Sequence, residues 1–222
     1  MQADHDAPHL RDRMVARQLE ARGIVDRRVL DAMRRVPREQ FVPAELQREA
    51  YDDGPLPIGA GQTISQPYIV ALMLEAAKIG TADRVLEIGA GSGYAAAVMS
   101  LLAEHVIAIE RHPDLADRAR AALERLGCRN VEIHCADGSA GWPEAAPFDA
   151  ILVAAGGPRV PEVLRAQLAE GGRLVMPIGA VHREQRLVQV TRSGDAYREE
   201  DLCGVAFVPL IGTHGWAETE PE

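Results

Sequence analysis

A glycine-rich turn with an acidic residue directly before it contains the first residues of this sequence that could do chemistry. The turn reads EIGAGSG, from Glu87 to Gly93, and follows a short apolar run that predicts a buried strand. The glycines of the turn, Gly89, Gly91 and Gly93, permit tight backbone geometry and close approach to a ligand. The GxGxG spacing differs from the GxGxxG spacing of dinucleotide sites, because Tyr94 stands where the third glycine of that pattern should be. Glu87 would also repel a phosphate, so the turn fits a dinucleotide poorly.

Two more carboxylates follow at the ends of the next two predicted strands. Glu110 ends HVIAIE, and Asp137 lies in CADG after the third strand. Ligands of open α/β sheets bind beyond the carboxyl ends of the strands, where the three acids are expected to meet. With the turn, they resemble the methyl-donor site of S-adenosylmethionine-dependent methyltransferases of Rossmann type. The resemblance implies that Glu87 holds the amino group of the methionine moiety and that Glu110 accepts hydrogen bonds from both ribose hydroxyls. Asp137, with Gly138 beside it, would receive the amino group of adenine.

An uncharged stretch, LPIGAGQTISQPY at residues 56–68, precedes a predicted helix, QPYIVALMLEAAKIG. The stretch has neither helical nor strand periodicity, so we expect an irregular loop. Pro67 suits the first turn of the helix, Ser65 its N-cap and Gly80 the position after its end. Because the N-terminus of a helix attracts anions through its N–H groups and its dipole, the loop could bind a carboxylate there.

The chain from residue 83 onward alternates apolar runs with helical segments, which predicts a parallel sheet with right-handed crossovers. The expected fold class is α/β: a doubly wound, mostly parallel sheet, Rossmann-like and of the class I methyltransferase type, with an N-terminal helical extension. The segment VPEVLRAQLAEGG predicts a helix ended by two glycines. The late strands QRLVQVTRSG and LCGVAFVPLIG have no helix between them, so the far edge is expected to be antiparallel.

The sequence predicts one compact unit with three parts. Residues 1–80 would form the helical extension and the active-site loop, residues 81–216 the S-adenosylmethionine-binding domain, and residues 217–222 a solvated tail. Within the extension, Asp26 is the expected N-cap of the helix DRRVLDAMRRVP, and Pro37 is expected to end it.

The composition limits the classes of partner. The net charge is −9 at pH 7, and such an acidic protein is a poor partner for nucleic acid, because binding a phosphate backbone needs a basic face. No apolar run suits a signal peptide or a membrane span, and the three cysteines are too few for a disulfide framework. We therefore expect a cytoplasmic protein whose cysteines are reduced and mostly buried.

Histidines and single aromatic residues predict no further site. The histidines are scattered along the chain: His105, His112, His134, His182 and His214. Their spacing is not that of metal ligands, so no metal is expected. Trp216 and Tyr51 could line a peptide groove, but single aromatic residues are more often packing residues.

A set of motifs spread over nearly the whole chain is shared with one known family. The motifs are LPIGAGQTISQPY, RVLEIGAGSGY, HVIAIER, ADG, PFDAILV and FVPLIG, with the helical front end MVARQLEARGI and VLDAMRRVPREQFVP. The set resembles the protein-L-isoaspartate (D-aspartate) O-methyltransferases. The resemblance implies a repair enzyme that moves a methyl group from S-adenosylmethionine to the free α-carboxylate of L-isoaspartyl residues in damaged proteins and peptides. S-adenosylhomocysteine would remain, and the ester would close to a succinimide without further enzyme.

The same resemblance implies roles for the residues around GQTIS. Ser65 is the implied catalytic residue, expected to orient the substrate carboxylate by a hydrogen bond without forming a covalent intermediate. Thr63 and Gln66 are implied substrate contacts, and Ile64 and Tyr68 match positions that flank the cofactor. A carboxylate is already ionised at neutral pH and needs no general base, so the site must supply positioning and exclusion of water.

Two segments depart from the pattern of the family. Ala154-Ala155-Gly156-Gly157 stands where Thr-Ala-Ala-Pro is often found, so one hydroxyl is lost. Ile211 stands where threonine is common, which affects one polar contact to the cofactor.

Three alternative functions remain open at the level of sequence. A carboxylate O-methyltransferase of the same fold could act on one dedicated peptide, although the chain has no added recognition domain. Glu87 and Tyr94 weigh against a nicotinamide-dependent dehydrogenase, and the Thr63-Ile64-Ser65 stretch weighs against an inactive cofactor-binding module. The single-domain plan and a site open to peptides fit a monomer.

Overall fold

The computed structural model describes residues 3–180 and 184–218, so His182 and residues 219–222 of the expected tail lie outside the described residues. Within those ranges the helices are α1 (Ala3–Met14), α2 (Arg27–Arg35), α3 (Pro67–Ala77), α4 (Tyr94–Met99), α5 (Pro113–Arg125) and α6 (Glu162–Ala166). The strands are β1 (Leu56–Gly59), β2 (Gln62–Ile64), β3 (Arg84–Ile88), β4 (His105–Glu110), β5 (Val131–Cys135), β6 (Phe148–Val153), β7 (Leu168–Ile178), β8 (Gln185–Ser193) and β9 (Ala196–Val205). No helix in these ranges is both long and apolar enough to cross a lipid bilayer.

The central sheet of the described chain has seven strands in the order β5-β4-β3-β6-β7-β8-β9. The strands β5, β4, β3, β6 and β7 run parallel, while β8 and β9 continue the sheet antiparallel to their neighbours. The strands that follow β3 in the chain, β4 and β5, lie on one side of it, and β6 lies on the other side. This reversal opens a crevice at the carboxyl end of β3, where such folds bind ligands. The expected α/β fold with an antiparallel far edge is confirmed.

Alternating side chains of the parallel strands bury the two faces of the sheet. Val85 lies in a core cluster with the helical extension, including Leu19 and Met33, while Leu86 and Ile88 lie in a separate cluster on the other face. This period of two follows from strand geometry, in which successive side chains point to opposite faces. Because the extension contributes to the same core as the sheet, it is fixed relative to the carboxyl end of β3.

The helix expected over residues 160–172 forms only in its first half, and the expectation is wrong for its second half, which is a strand. Helix α6 stops at Ala166, and β7 begins at Leu168, which pairs with Phe148 of β6. Leu164 and Leu168 have helical spacing, yet both are fully buried on one face of the sheet. The two glycines, one of them with φ +71° at Gly171, lie within β7 at an irregularity of the pairing.

The uncharged stretch expected to be an irregular loop contains a short hairpin. Leu56 pairs with Ile64 and Pro57 with Thr63, and positive φ angles at Ala60 and Gly61 make the turn. Each strand has only three or four residues, which is too short to show strand periodicity in the sequence.

Two expected helix ends differ in the structure, while others agree. Asp26 caps α2 by accepting hydrogen bonds from two backbone N–H groups, as expected. The N-cap of α3 is Gln66 and not Ser65, and its last turn is closed by Lys78 with φ 49° instead of by Gly80. The hydroxyl of Ser65 is therefore not the cap of this helix.

Candidate active site

The glycine turn lies directly after β3, at the crevice of the sheet. Backbone N–H groups of Gly89 and Ala90 donate to the carbonyl oxygen of Ile109 on β4, at 2.8 and 3.0 Å. Gly93 has φ +86°, and a Cβ added there would lie 3.1 Å from the Cβ of Ala119 on α5. The backbone angle favours glycine at this position, and a larger residue would also have to displace α5 by a few tenths of an ångström. The turn is thus held close to the strand ends, with α4 starting at its end.

Glu87 carries a buried carboxylate at the start of this turn. Its side chain is only 2% exposed, and its Oε2 atom has no hydrogen-bond partner among the described residues. Burial, and secondly the nearby Glu110, raise the pKa of Glu87 well above its ordinary value. A buried carboxylate without a partner is costly, and a positively charged ligand group would relieve that cost. The residue therefore fits the ammonium group of an amino acid moiety.

Glu110 at the end of β4 is also buried but is well supported by backbone donors. Its Oε2 accepts from the N–H of Gly91 at 2.8 Å, and its Oε1 accepts from the N–H of His112 at 2.9 Å. These bonds fix the carboxylate across the glycine turn and leave lone pairs on both oxygens. An acceptor pair in this position suits two neighbouring hydroxyls, as on a ribose.

A single cavity joins the two acids to the hairpin. Its walls also include apolar side chains from α3, β6 and the segment 208–211: Met73, Leu74, Leu152, Val208, Leu210 and Ile211. Thr63, Ile64 and Ser65 line it from the hairpin side. The lining of the cavity therefore combines two acids and Arg111 with the uncharged hairpin residues and a set of apolar side chains.

Asp137 lies beside this cavity and not in it. Its Oδ1 accepts from the N–H of Ser139 at 2.8 Å, and its Oδ2 accepts from the N–H and the hydroxyl of Thr213 at 2.8 and 3.0 Å. Partial burial alone would raise the pKa of Asp137, but the bonds from Thr213 and Ser139 together lower it. The carboxylate therefore fastens the segment around Thr213 to the end of β5, and its predicted contact with adenine stays a prediction.

Gly138 does line the cavity, through its backbone. A Cβ at this position would lie 2.6 Å from Cγ2 of Ile88 on β3. Close packing against β3 thus explains why residue 138 is a glycine. The backbone at this position has no side chain, so it forms a flat part of the cavity wall that suits an aromatic ring of a ligand.

Gln66 and Tyr68 do not line the cavity, and each contacts a member of the ion pair between Arg22 and Asp53 instead. Nε2 of Gln66 donates to Oδ1 of Asp53 at 2.8 Å. Arg22 forms an ion pair with Asp53 at 3.1 Å, and its guanidinium lies 3.7 Å from the centre of the Tyr68 ring. The structure therefore brings Thr63, Ile64 and Ser65 together with the acids, but it does not bring Gln66 or Tyr68 to them.

The segment that departs from the family pattern is shaped by close backbone contacts. Ala154 and Ala155 line the cavity. The N–H of Gly156 donates to Val208 at 2.8 Å, and its carbonyl oxygen accepts from the backbone of Leu210 at 2.8 Å. Trp216 donates from Nε1 to the same carbonyl oxygen at 3.0 Å. Trp216 thus secures the last segment of the described chain and is a packing residue.

One buried residue that the sequence analysis did not single out touches the site from behind. Arg38 is fully buried, and its Nη2 donates to the carbonyl oxygen of Ser65 at 2.9 Å. Its position in the front-end motif RVPREQFVP was the available signal. Tyr51, near it, is buried and donates to Glu39, so this tyrosine lines no groove.

Metal binding is not indicated in the described part of the chain, and the cysteines differ from expectation. No group of three or more histidine, cysteine or acidic side chains within it could hold a metal ion. All three cysteines are free thiols. None is fully buried, and Cys135 is exposed, so the expectation of mostly buried thiols is wrong. Cys135 is the last residue of β5, which is an edge strand of the sheet, and its side chain is exposed there.

Comparisons with known proteins agree on one family. The family model "Protein-L-isoaspartate(D-aspartate) O-methyltransferase (PCMT)" matches residues 10–215. The chain is 60% identical over 213 residues to protein-L-isoaspartate O-methyltransferase 1 of Rhodopseudomonas palustris (strain HaA2), covering 96% of this chain and 87% of the relative. It is 58% identical over 212 residues to protein-L-isoaspartate O-methyltransferase 2 of Marinobacter nauticus, covering 95% and 97%.

Solved structures give the same result. A protein-L-isoaspartate O-methyltransferase superposes with a TM-score of 0.82 at 32% identity, covering 92% of this chain and 67% of the other. A putative protein-L-isoaspartate O-methyltransferase of Plasmodium falciparum, solved in complex with S-adenosyl-L-homocysteine, superposes with a TM-score of 0.79 at 28% identity, covering 90% and 98%.

Proposed function

The chain belongs to the protein-L-isoaspartate (D-aspartate) O-methyltransferase family, and from this premise we propose how its cavity carries out the reaction. The protein is an S-adenosylmethionine-dependent methyltransferase that methylates the free α-carboxylate of L-isoaspartyl residues in damaged proteins and peptides. The observation that carries the assignment of the cavity is the buried Glu87 carboxylate, which has no partner of its own in the described chain.

The acids and the glycine turn form the proposed cofactor end of the cavity. Glu87 receives the amino group, and ionisation of Glu87 is favoured once a cation is beside it. Glu110 accepts hydrogen bonds from the ribose hydroxyls with the lone pairs that Gly91 and His112 leave unused. The backbone of Gly138 forms the wall for the adenine ring, and Asp137 next to it remains the proposed acceptor for the adenine amino group. When bound, S-adenosylmethionine supplies a methyl group on a positively charged sulfur.

The hairpin forms the proposed substrate end of the cavity. Ser65 donates a hydrogen bond that orients the carboxylate, and Thr63 supports it as a second contact; both line the cavity. Gln66 holds Asp53 and so acts on the substrate through the shape of the hairpin. Ile64 and the apolar wall around Ile211 exclude water from the carboxylate, which strengthens its nucleophilicity. No proton is removed in this scheme, because the acceptor is already ionised at neutral pH.

The direct test of this function compares two synthetic peptides that differ only at one residue, which is isoaspartyl in one and aspartyl in the other. With methyl-labelled S-adenosylmethionine, the protein is expected to label only the isoaspartyl peptide, and the label should be released by base because it is an ester. Equal labelling of both peptides, or of neither, would reject the function.

A set of unrelated isoaspartyl peptides separates repair from modification of one dedicated peptide. A repair enzyme is expected to methylate most of them within a similar range of kcat/KM. Methylation of a single sequence would favour the dedicated enzyme.

We also propose that the protein is a cytoplasmic monomer that does not bind nucleic acid. Large exposed hydrophobic side chains within the described residues are Val25 and Leu101, which do not form an extended apolar patch. Three free thiols support a reducing compartment, and the net charge of −9 weighs against a nucleic acid partner. Light scattering after size-exclusion chromatography should give the mass of one chain.

A further inference from the structure

Arg38 connects both ends of the segment that carries the hairpin. It lies in a short 3₁₀ turn, Arg38–Phe41, and its side chain is completely buried. Nε donates to the carbonyl oxygen of Ala50 at 2.7 Å, and Nη2 donates to the carbonyl oxygen of Ser65 at 2.9 Å. The guanidinium is planar, so these two bonds fix the carbonyl of Ser65 relative to the core.

The charge of Arg38 has no acidic partner within the described chain. The charged or ionisable groups that act on it are Tyr94 and Tyr51, and its Nη1 atom is buried without a hydrogen-bond partner there. The guanidinium also lies 5.0 Å from the centre of the Tyr94 ring. Burial lowers the pKa of Arg38 to about 10, so it stays protonated at neutral pH. A buried cation without a carboxylate is costly to the fold. Arg38 does not line the cavity itself, so its charge can act on a bound anion only across the Ser65 peptide that it holds.

In the proposed function, the α-carboxylate of the substrate binds at Ser65, and it is the anion nearest to Arg38. We propose that Arg38 is a positioning residue for it, which fixes the Ser65 peptide and supplies positive potential behind it; this inference rests on the proposed function. Methyl transfer converts the carboxylate to a neutral ester, so the attraction acts on the substrate and not on the product. It therefore favours binding of a new substrate over the product and should appear in KM more than in kcat.

The test measures binding of two peptides to protein loaded with S-adenosylhomocysteine, by calorimetry. One peptide carries the isoaspartyl α-carboxylate, and the other carries a primary carboxamide in its place. For Arg38→Met we expect about tenfold weaker binding of the carboxylate peptide, equivalent to about 1.4 kcal/mol, and less than a twofold change for the carboxamide peptide. In turnover, KM for the isoaspartyl peptide should rise by a similar factor with kcat within about twofold.

Arg28→Met is the matched control. Arg28 also donates to two backbone carbonyl oxygens, of Ile79 at 2.6 Å and Leu102 at 2.7 Å, but it lies away from Ser65. This variant should lose stability and keep the preference of the wild type for the carboxylate peptide. Arg38→Lys retains the charge and should keep most of that preference, whereas Arg38→Gln should lose it, which provides the comparison if Arg38→Met does not fold.

The outcomes separate this inference from the proposed function. Equal weakening of both peptides in Arg38→Met, or equal loss of preference in Arg38→Lys and Arg38→Gln, would overturn the role of the charge. If wild-type protein neither binds nor methylates the isoaspartyl peptide, the proposed function itself fails.

Discussion

At the scale of single residues, the two buried acids of the site differ in their hydrogen-bond partners. Glu87 is buried with no partner for Oε2 among the described residues, whereas Glu110 is buried with a backbone donor on each oxygen. The two carboxylates therefore differ in chemistry: the first needs a cation, and the second presents a fixed acceptor.

Replacing Glu87 by glutamine should weaken cofactor binding by about tenfold to a hundredfold, since a hydrogen bond to a charged group contributes about 1.5–3 kcal/mol. Because the pKa of Glu87 is raised in the free protein, a cation that favours its ionised form should displace a proton on binding. Calorimetry of S-adenosylhomocysteine binding in two buffers of different ionisation enthalpy measures that proton. Wild type should release it at pH values below the raised pKa of Glu87, and Glu87→Gln should not; equal proton release in both proteins would contradict this role.

Ser65→Ala tests the substrate end. Loss of one hydrogen bond to the carboxylate should lower kcat/KM for an isoaspartyl peptide by about tenfold to a hundredfold and leave cofactor affinity within about twofold. Ser100→Ala is the control, because its hydroxyl donates to Ala97 at the end of α4, away from the cavity. Collapse of cofactor affinity in Ser65→Ala would show that the division between the two ends is wrong.

Of the three acids that the sequence predicted to meet, the structure brings Glu87 and Glu110 into one cavity but not Asp137. Glu87 lies one residue before the end of β3 and Glu110 ends the neighbouring parallel strand β4, so their proximity follows from the apolar runs alone. The bonds between Asp137 and Thr213 span 76 positions of the chain, and local sequence carries no sign of them. Arg38 was missed for a similar reason, because its burial depends on distant contacts and the sequence does not distinguish it from the exposed arginines of the chain.

At the scale of elements, the turn after β3 and the hairpin position the two ends of the site. The turn was predictable because its glycines adopt positive φ angles that other residues rarely accept. The hairpin was not, because strands of three or four residues are set by contacts such as that of Arg118, which donates to Ile58 at 2.7 Å. The first residues of β7 were also missed, because burial against β6 outweighs their helical spacing.

Gly93→Ala tests the turn, with Gly127→Ala as its matched control. Both glycines have positive φ angles, but a Cβ at Gly93 would lie 3.1 Å from Ala119, whereas nothing in the described chain lies within 4 Å at Gly127. Both changes should cost about 1–2 kcal/mol of stability from the backbone angle. Only Gly93→Ala should also weaken S-adenosylhomocysteine binding, by at least tenfold, because α4 and the turn must shift. Thermal unfolding and calorimetry check both effects, and unchanged affinity in Gly93→Ala would contradict the role of the turn.

At the scale of the whole molecule, the helical extension and the sheet share one core. Packing of this core must offset the free energy that burial of the Glu87 carboxylate costs. The raised pKa of Glu87 means that the folded protein holds this proton more tightly than the unfolded chain does. The corresponding stability is present below the ordinary value of 4.5 and is lost as pH rises through the raised pKa.

The free protein should therefore become more stable when Glu87 is replaced by glutamine, by about 0.5–2 kcal/mol at neutral pH, as is common when a functional group is removed. The difference between the two proteins should shrink as the pH falls below 4.5, where Glu87 becomes protonated in the unfolded chain as well as in the folded protein. Denaturant unfolding at several pH values measures it. A wild type more stable than Glu87→Gln at neutral pH would mean that Glu87 has a partner already.

The central claim is that the buried Glu87 carboxylate marks the place of the amino group of the cofactor, with Ser65 across the same cavity. A crystal structure with S-adenosylhomocysteine and an isoaspartyl peptide measures it directly. We predict the amino nitrogen about 2.7–3.2 Å from a carboxylate oxygen of Glu87 and the peptide carboxylate within hydrogen-bond distance of the Ser65 hydroxyl. A ligand bound elsewhere, or a Ser65 hydroxyl turned away from the peptide carboxylate, would contradict it.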